Sequence, residues 1–152
     1  MDKEKFSPEV EAMRKVVRGG GAAIRQLVDS VADDKGKLRA IAEASLDGLR
    51  ATLSGINDNP HVVISHAWDL HGDLFNDLAG AKSPKTLRGV ITNGAGTIVQ
   101  LSGLVSDHPQ QLRAVAEAML ATLDTAFSGV SPAKVPIYKI LNDLRAELAA
   151  IS

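Results

Sequence analysis

The sequence predicts an all-α protein: a six-helix bundle built from two tandem three-helix repeats that are related by a pseudo-two-fold axis. Three observations predict this fold. The chain aligns with itself after a shift of 74 residues, its apolar residues recur at helical spacing, and its prolines stand where helices begin. We therefore expect one domain over residues 1–152, with repeat units at 9–78 and 83–152.

The repeat covers nearly the whole chain without a gap. Of the 70 aligned positions 21 are identical, and the match is strongest between LRAIAEASLDGLRATLSGI from Leu38 and LRAVAEAMLATLDTAFSGV from Leu112. Two helices that matched only by composition would not hold this register for so long. A duplicated unit that buries its apolar face against its copy behaves like a dimer fused into one chain.

The first helix of each unit is long. Apolar or small residues recur at alternating steps of four and three from Met13 to Val31 and from Leu87 to Val105, which defines one helical face. This period passes through the glycine-rich stretches 19–21 and 93–96 without a change of phase. Continuous helices are therefore favoured, although each interior glycine costs about 1 kcal/mol relative to alanine. A kink at these stretches is the alternative.

Gly20 and Gly94 occupy equivalent positions in these stretches. We expect close backbone approach between the two long helices there, because glycine has no side chain to separate them.

The second helices are predicted at about Leu38–Leu53 and Pro109–Phe127, and the third helices at about Pro60–Ala79 and Val135–Ile151. Proline is tolerated in the first turn of a helix and disfavoured inside it. Five of the six prolines follow a residue typical of a helix start, namely Pro8, Pro60, Pro84, Pro109 and Pro132. Strand signals are weak, since the short β-branched runs fall inside helical periods.

Composition excludes several classes of function. The absence of cysteine excludes zinc-thiolate sites, cysteine nucleophiles and disulfide frameworks. A net charge of −1 and 3% aromatic residues argue against nucleic-acid binding, which needs a basic face or stacking platforms. Phosphate-loop, dinucleotide, nucleophile-elbow and zinc-helix motifs are missing. The charged start MDKEKF lacks the apolar stretch of a signal peptide, so we expect a cytoplasmic protein with no cofactor.

The two units diverge most in their long helices. The outward face of the first carries five charged residues, whereas residues 89–106 of the second contain none. A helix without charge is usually buried on all sides. Either the chain's own helices wrap around it, or an interface with a second copy forms along Gly89, Thr92, Gly96, Val99 and Gly103. A membrane span is not expected, because the stretch contains several polar residues and lacks an aromatic belt.

A second divergence lies in residues 51–81, which contain four aspartates, three histidines and the single tryptophan but no lysine or arginine. His66, Asp69 and Asp73 fall on one helical face and are candidates for a ligand or metal site, since imidazole and carboxylate both bind divalent cations. The second unit has Ile140 in place of His66, which favours a solvated acidic face instead. His71 falls nearer the apolar face and is interpreted as a structural histidine.

The leading functional hypothesis is a non-enzymatic helical protein that interacts with other proteins or acts as a scaffold, self-associating through the uncharged helix 89–106. The alternative is a small-molecule or metal-binding helical protein, conceivably an enzyme, with its site near the pseudo-two-fold axis or at His66, Asp69 and Asp73. Pockets between the helices of bundles are common ligand sites.

Overall fold

A computed structural model describes residues 7–31, 33–128 and 137–151, which form six α-helices and contain no strand. The helices are α1 (Pro8–Val31), α2 (Lys35–Gly55), α3 (Val62–Ala79), α4 (Pro84–Leu104), α5 (Pro109–Ser128) and α6 (Ile137–Ala149). The prediction of an all-α, six-helix bundle is therefore confirmed. One cluster of buried apolar residues draws side chains from all six helices.

Proline marks the start of three helices, as predicted. Pro8, Pro84 and Pro109 are the first residues of α1, α4 and α5, where the missing N–H of proline costs nothing. At the start of α4 the Ser83 hydroxyl accepts a hydrogen bond from the Thr86 amide at 3.2 Å, which satisfies one free helix donor. The predicted start at Pro132 lies outside the described residues.

The third helix begins two residues after Pro60 because a histidine caps it. His61 is the N-cap residue of α3, and its Nδ1 accepts a hydrogen bond from the Val63 amide at 3.1 Å. Serine, threonine, aspartate and asparagine are the usual residues at this position. The helix start was therefore predicted at Pro60, and the capping role of His61 was not predicted.

Both long helices run unbroken through their glycines, so the predicted continuity is correct. We expected Gly20 and Gly94 to bring the two long helices close together, but each of them lies against a different helix. A Cβ at Gly20 would overlap the Met119 side chain of α5, and one at Gly94 would lie 3.3 Å from the Ser45 Cβ of α2. Each glycine therefore makes room for the second helix of the other unit, not for the other long helix.

The helices form two layers. α2 and α5 lie side by side and pack against the other four helices, which follow one another in the order α3, α4, α1, α6. α1 packs mainly against α5, and α4 mainly against α2. At the centre of the α2/α5 contact a Cβ at Gly48 would lie 2.9 Å from the Thr122 Cβ, so only glycine fits there without displacement.

Two arginines form hydrogen bonds at the C-terminal ends of α3 and α6. Arg39 and Arg113 occupy equivalent positions in the two units, and Arg113 forms an ion pair with Glu117 at 3.4 Å. Arg39 instead donates to the Ala81 carbonyl just after α3 at 3.1 Å, while Arg113 also donates to the Ile151 carbonyl just after α6 at 2.9 Å. Such bonds satisfy carbonyl groups that have no partner inside the helix.

Candidate functional site

The five residues predicted at an interface lie along one stripe of α4. Their spacing alternates between three and four residues, as do the seam positions of a helix that packs against a partner helix. Thr92 and Gly103 are exposed, and Gly89, Gly96 and Val99 are half-buried. We name this stripe of Gly89, Thr92, Gly96, Val99 and Gly103 the α4 ridge.

The α4 ridge faces open space. A Cβ placed at Gly89, Gly96 or Gly103 meets no atom of another element within 4 Å. The described helices therefore leave these three glycines uncovered, whereas Val99 packs partly against the core. Among the residues that the structure describes, no helix is long and apolar enough to cross a bilayer.

A cleft runs beside the α4 ridge, between α1 and α4. It has a volume of about 220 Å³, and a second cleft of about 130 Å³ adjoins it and shares part of its lining. The two helices come close at Gly21, where a Cβ would lie 3.1 Å from the Val99 Cγ2. We name the larger opening the α1/α4 cleft; its lining residues include Arg18, Gly21, Arg25, Ala95, Gly96 and Val99.

Arg18 and Arg25 form the cationic wall of the α1/α4 cleft. Both side chains belong to exposed residues of α1. In the described part of the chain, no carboxylate lies within ion-pair distance of either guanidinium. From the sequence alone these arginines belong to the charged outward face of the first helix, because the opposite wall of the cleft comes from a helix some 70 residues away along the chain.

The described residues do not assemble the predicted metal site. His66, Asp69 and Asp73 are all exposed on α3, and no group of three histidine, aspartate or glutamate residues in the described ranges could hold a metal ion. The side chains share a helix face, as predicted from their spacing. Within the described ranges, no further histidine, aspartate or glutamate completes a metal site with them.

His71 lies between α3 and α2, as expected for a structural histidine. Its ring contacts the edge of Trp68 with 6.1 Å between ring centroids. Burial lowers the pKa of His71 below 6.5, and the positive charge of Arg50 lowers it further, while Asp47 and a hydrogen bond to the Leu46 backbone act in the opposite direction. Phe75, four residues further along α3, is 59% exposed.

This lowered pKa predicts a loss of stability on acidification. Protonation of His71 is harder in the folded chain than in the unfolded one, so the unfolded state binds more protons once the pH falls below about 6.5. The stabilisation present above pH 6.5 is therefore lost as the pH falls toward the lowered pKa. We expect a His71 NMR titration midpoint below 6.5 and a smaller loss of stability between pH 7 and pH 5 in His71→Gln. A midpoint at or above 6.5 would contradict this.

The α4 ridge and the α1/α4 cleft adjoin each other and share Gly96 and Val99. Comparison of the chain with protein-family models, with curated proteins and with solved structures finds no match in any of the three.

Proposed function

We propose that this chain is a non-enzymatic interaction or scaffold protein that self-associates through the α4 ridge. The observation that carries the proposal is the open space over Gly89, Gly96 and Gly103 on a helix stretch without charge. Glycine at a helix contact allows two backbones to approach closely, near the lower end of the usual interaxial distance of about 8–10 Å. A second α4 helix, from another copy, matches this surface in shape and polarity.

The area of this face is adequate for a specific contact. α4 has 21 residues and is therefore about 30 Å long. With α1 and α3 beside it at about 10 Å spacing, the outer face measures roughly 30 Å by 25 Å. This is close to the roughly 800 Å² that each partner buries in a standard interface. Charged residues of α1 at its margin would supply the polar rim that such interfaces have.

We also propose that the two halves of the chain are related by a pseudo-two-fold axis. Gly48 and Thr122 are 74 positions apart in the sequence and face each other across α2 and α5. The contact of Gly20 with Met119 becomes the contact of Gly94 with Ser45 after the same shift. Contacts that repeat under the shift support an axis passing between α2 and α5 and between α1 and α4.

Val99→Glu tests the proposed self-association. Val99 is half-buried at the centre of the α4 ridge, so a carboxylate there would be desolvated without a partner when two copies meet. We expect native mass spectrometry to show a dimer or larger assembly for the parent chain. The variant should be monomeric, with its association weakened at least about tenfold, equivalent to about 1.4 kcal/mol, and its helical circular dichroism retained.

Thr125→Glu is the matched control, because Thr125 is an exposed β-branched residue on α5, away from the α4 ridge. This variant should associate as the parent chain does. A monomeric parent chain, or a Val99→Glu variant that associates unchanged, would contradict the proposal. Unfolding of Val99→Glu would show instead that the contact between Val99 and Gly21 belongs to the core of the single chain.

A further inference from the structure

The two walls of the α1/α4 cleft differ in charge. Arg18 and Arg25 stand seven residues apart on α1, which is about two helical turns on one face. At the corresponding positions of α4, 74 residues on, stand Thr92 and Val99. The cleft thus has one cationic wall, one uncharged wall and a floor of small residues.

These guanidinium groups differ from several other exposed cations of the protein. Lys37 pairs with Asp34, Lys139 with Asp143 and Arg145 with Asp124, at 2.9–3.9 Å. In the described ranges neither Arg18 nor Arg25 has such a carboxylate partner.

The adjoining cleft is less suited to an anion. Asp29 and Arg25 both line it, together with Arg88 and Thr92. The carboxylate of Asp29 would repel an anion at that end. The α1/α4 cleft itself is not lined by a carboxylate. Arg18 also borders a neighbouring cleft that Glu11 and Glu147 line, so the anion position lies inside the α1/α4 cleft, between Arg18 and Arg25.

We propose that the α1/α4 cleft binds a small organic anion. A carboxylate or phosphate group would accept hydrogen bonds from Arg18 and Arg25, and an apolar portion would lie on Gly96 and Val99. Guanidinium groups bind both anions through paired N–H donors. The α1/α4 cleft has a volume of about 220 Å³, which is below the roughly 300 Å³ at the lower end of small-molecule sites, so it fits a small anion.

Octanoate and octanamide are the probes that test this inference. They share the apolar chain and differ in charge, so their comparison isolates the contribution of the guanidinium groups. The full chain should be titrated by calorimetry at a concentration where it is monomeric, which separates ligand binding from self-association. We expect octanoate to bind saturably at one site per chain, and octanamide to bind at least about tenfold more weakly.

Three variants locate the site. The double variant Arg18→Gln with Arg25→Gln should weaken octanoate binding at least about tenfold. Gly96→Leu should also abolish it while leaving both arginines in place, because a side chain at Gly96 projects into free space beside the cleft. Arg50→Gln, an exposed arginine on α2, is the control and should bind octanoate as the parent chain does.

Three results would overturn the inference: equal affinity for octanoate and octanamide, unchanged octanoate binding in Gly96→Leu, or an Arg50→Gln variant as weak as the double variant. The first would mean that the arginines add nothing, and the others would place the bound anion elsewhere on the surface. Gly96 and Val99 belong to both the α4 ridge and the α1/α4 cleft, so self-association would cover the site. Titration at a concentration where the chain is monomeric keeps the two proposals apart, and each can fail separately.

Discussion

Replacing Gly48 with threonine is expected to lower the free energy of unfolding by about 3 kcal/mol, at the upper end of the usual cost of overpacking a core. A Cβ at this position would overlap the hydroxyl of Thr122, whose own Cβ lies 2.9 Å away. To remove this overlap, α2 and α5 would have to move apart at the central contact of the bundle. Urea denaturation followed by circular dichroism would measure the loss as a lower midpoint.

The exchanged variant Gly48→Thr with Thr122→Gly is the decisive control. If the two halves are related by a pseudo-two-fold axis, the exchange recreates the same glycine–threonine contact with the helices reversed. The Thr122 hydroxyl donates to the Ala118 carbonyl at 2.7 Å, and Ala44 supplies the equivalent carbonyl for a threonine at position 48.

We expect the exchanged variant to regain most of the stability lost in Gly48→Thr. A double variant whose loss equals the sum of the two single losses would show that the positions are not equivalent. The helix propensity difference between glycine and threonine nearly cancels in the exchange, because both positions lie inside helices. The comparison therefore isolates the packing contact.

The helices were predictable from local information. Apolar spacing and proline positions depend only on residues a few places apart, and they placed all six helices with ends within about three residues where the structure describes them. The unbroken course of α1 and α4 through their glycines was predictable for the same reason, since the apolar period keeps its phase there. Local spacing also identified the uncharged stripe that became the α4 ridge.

Tertiary contacts were not predictable in the same way. Gly20 and Gly96 look alike in the sequence, yet the first abuts Met119 and the second borders open space. The difference depends on which helix packs over each glycine, and that partner lies far away along the chain. Arg18 and Arg25 form one wall of a cleft only because α4 lies beside α1. Phe75 is 59% exposed although it borders a cleft beside α2.

The second large effect is expected on the α4 ridge, where replacing Gly89, Gly96 and Gly103 together with alanine should raise the free energy of unfolding by about 2 kcal/mol. Alanine is favoured over glycine inside a helix by roughly 0.5–1 kcal/mol per residue. No atom within 4 Å opposes the added methyl groups. The increase would appear as a higher urea midpoint at a protein concentration where both chains are monomeric.

The same triple variant should self-associate at least about tenfold more weakly, because three added methyl groups on each copy would hold the two backbones apart. Gly72→Ala is the matched control: Gly72 is an exposed glycine on α3 with free space around it, so its replacement should stabilise the fold without changing association. A triple variant that is more stable but associates more weakly would mean that these glycines destabilise the monomer and stabilise only the assembled state. If the triple variant is stabilised but associates as tightly as the parent chain, the copies do not meet at the α4 ridge.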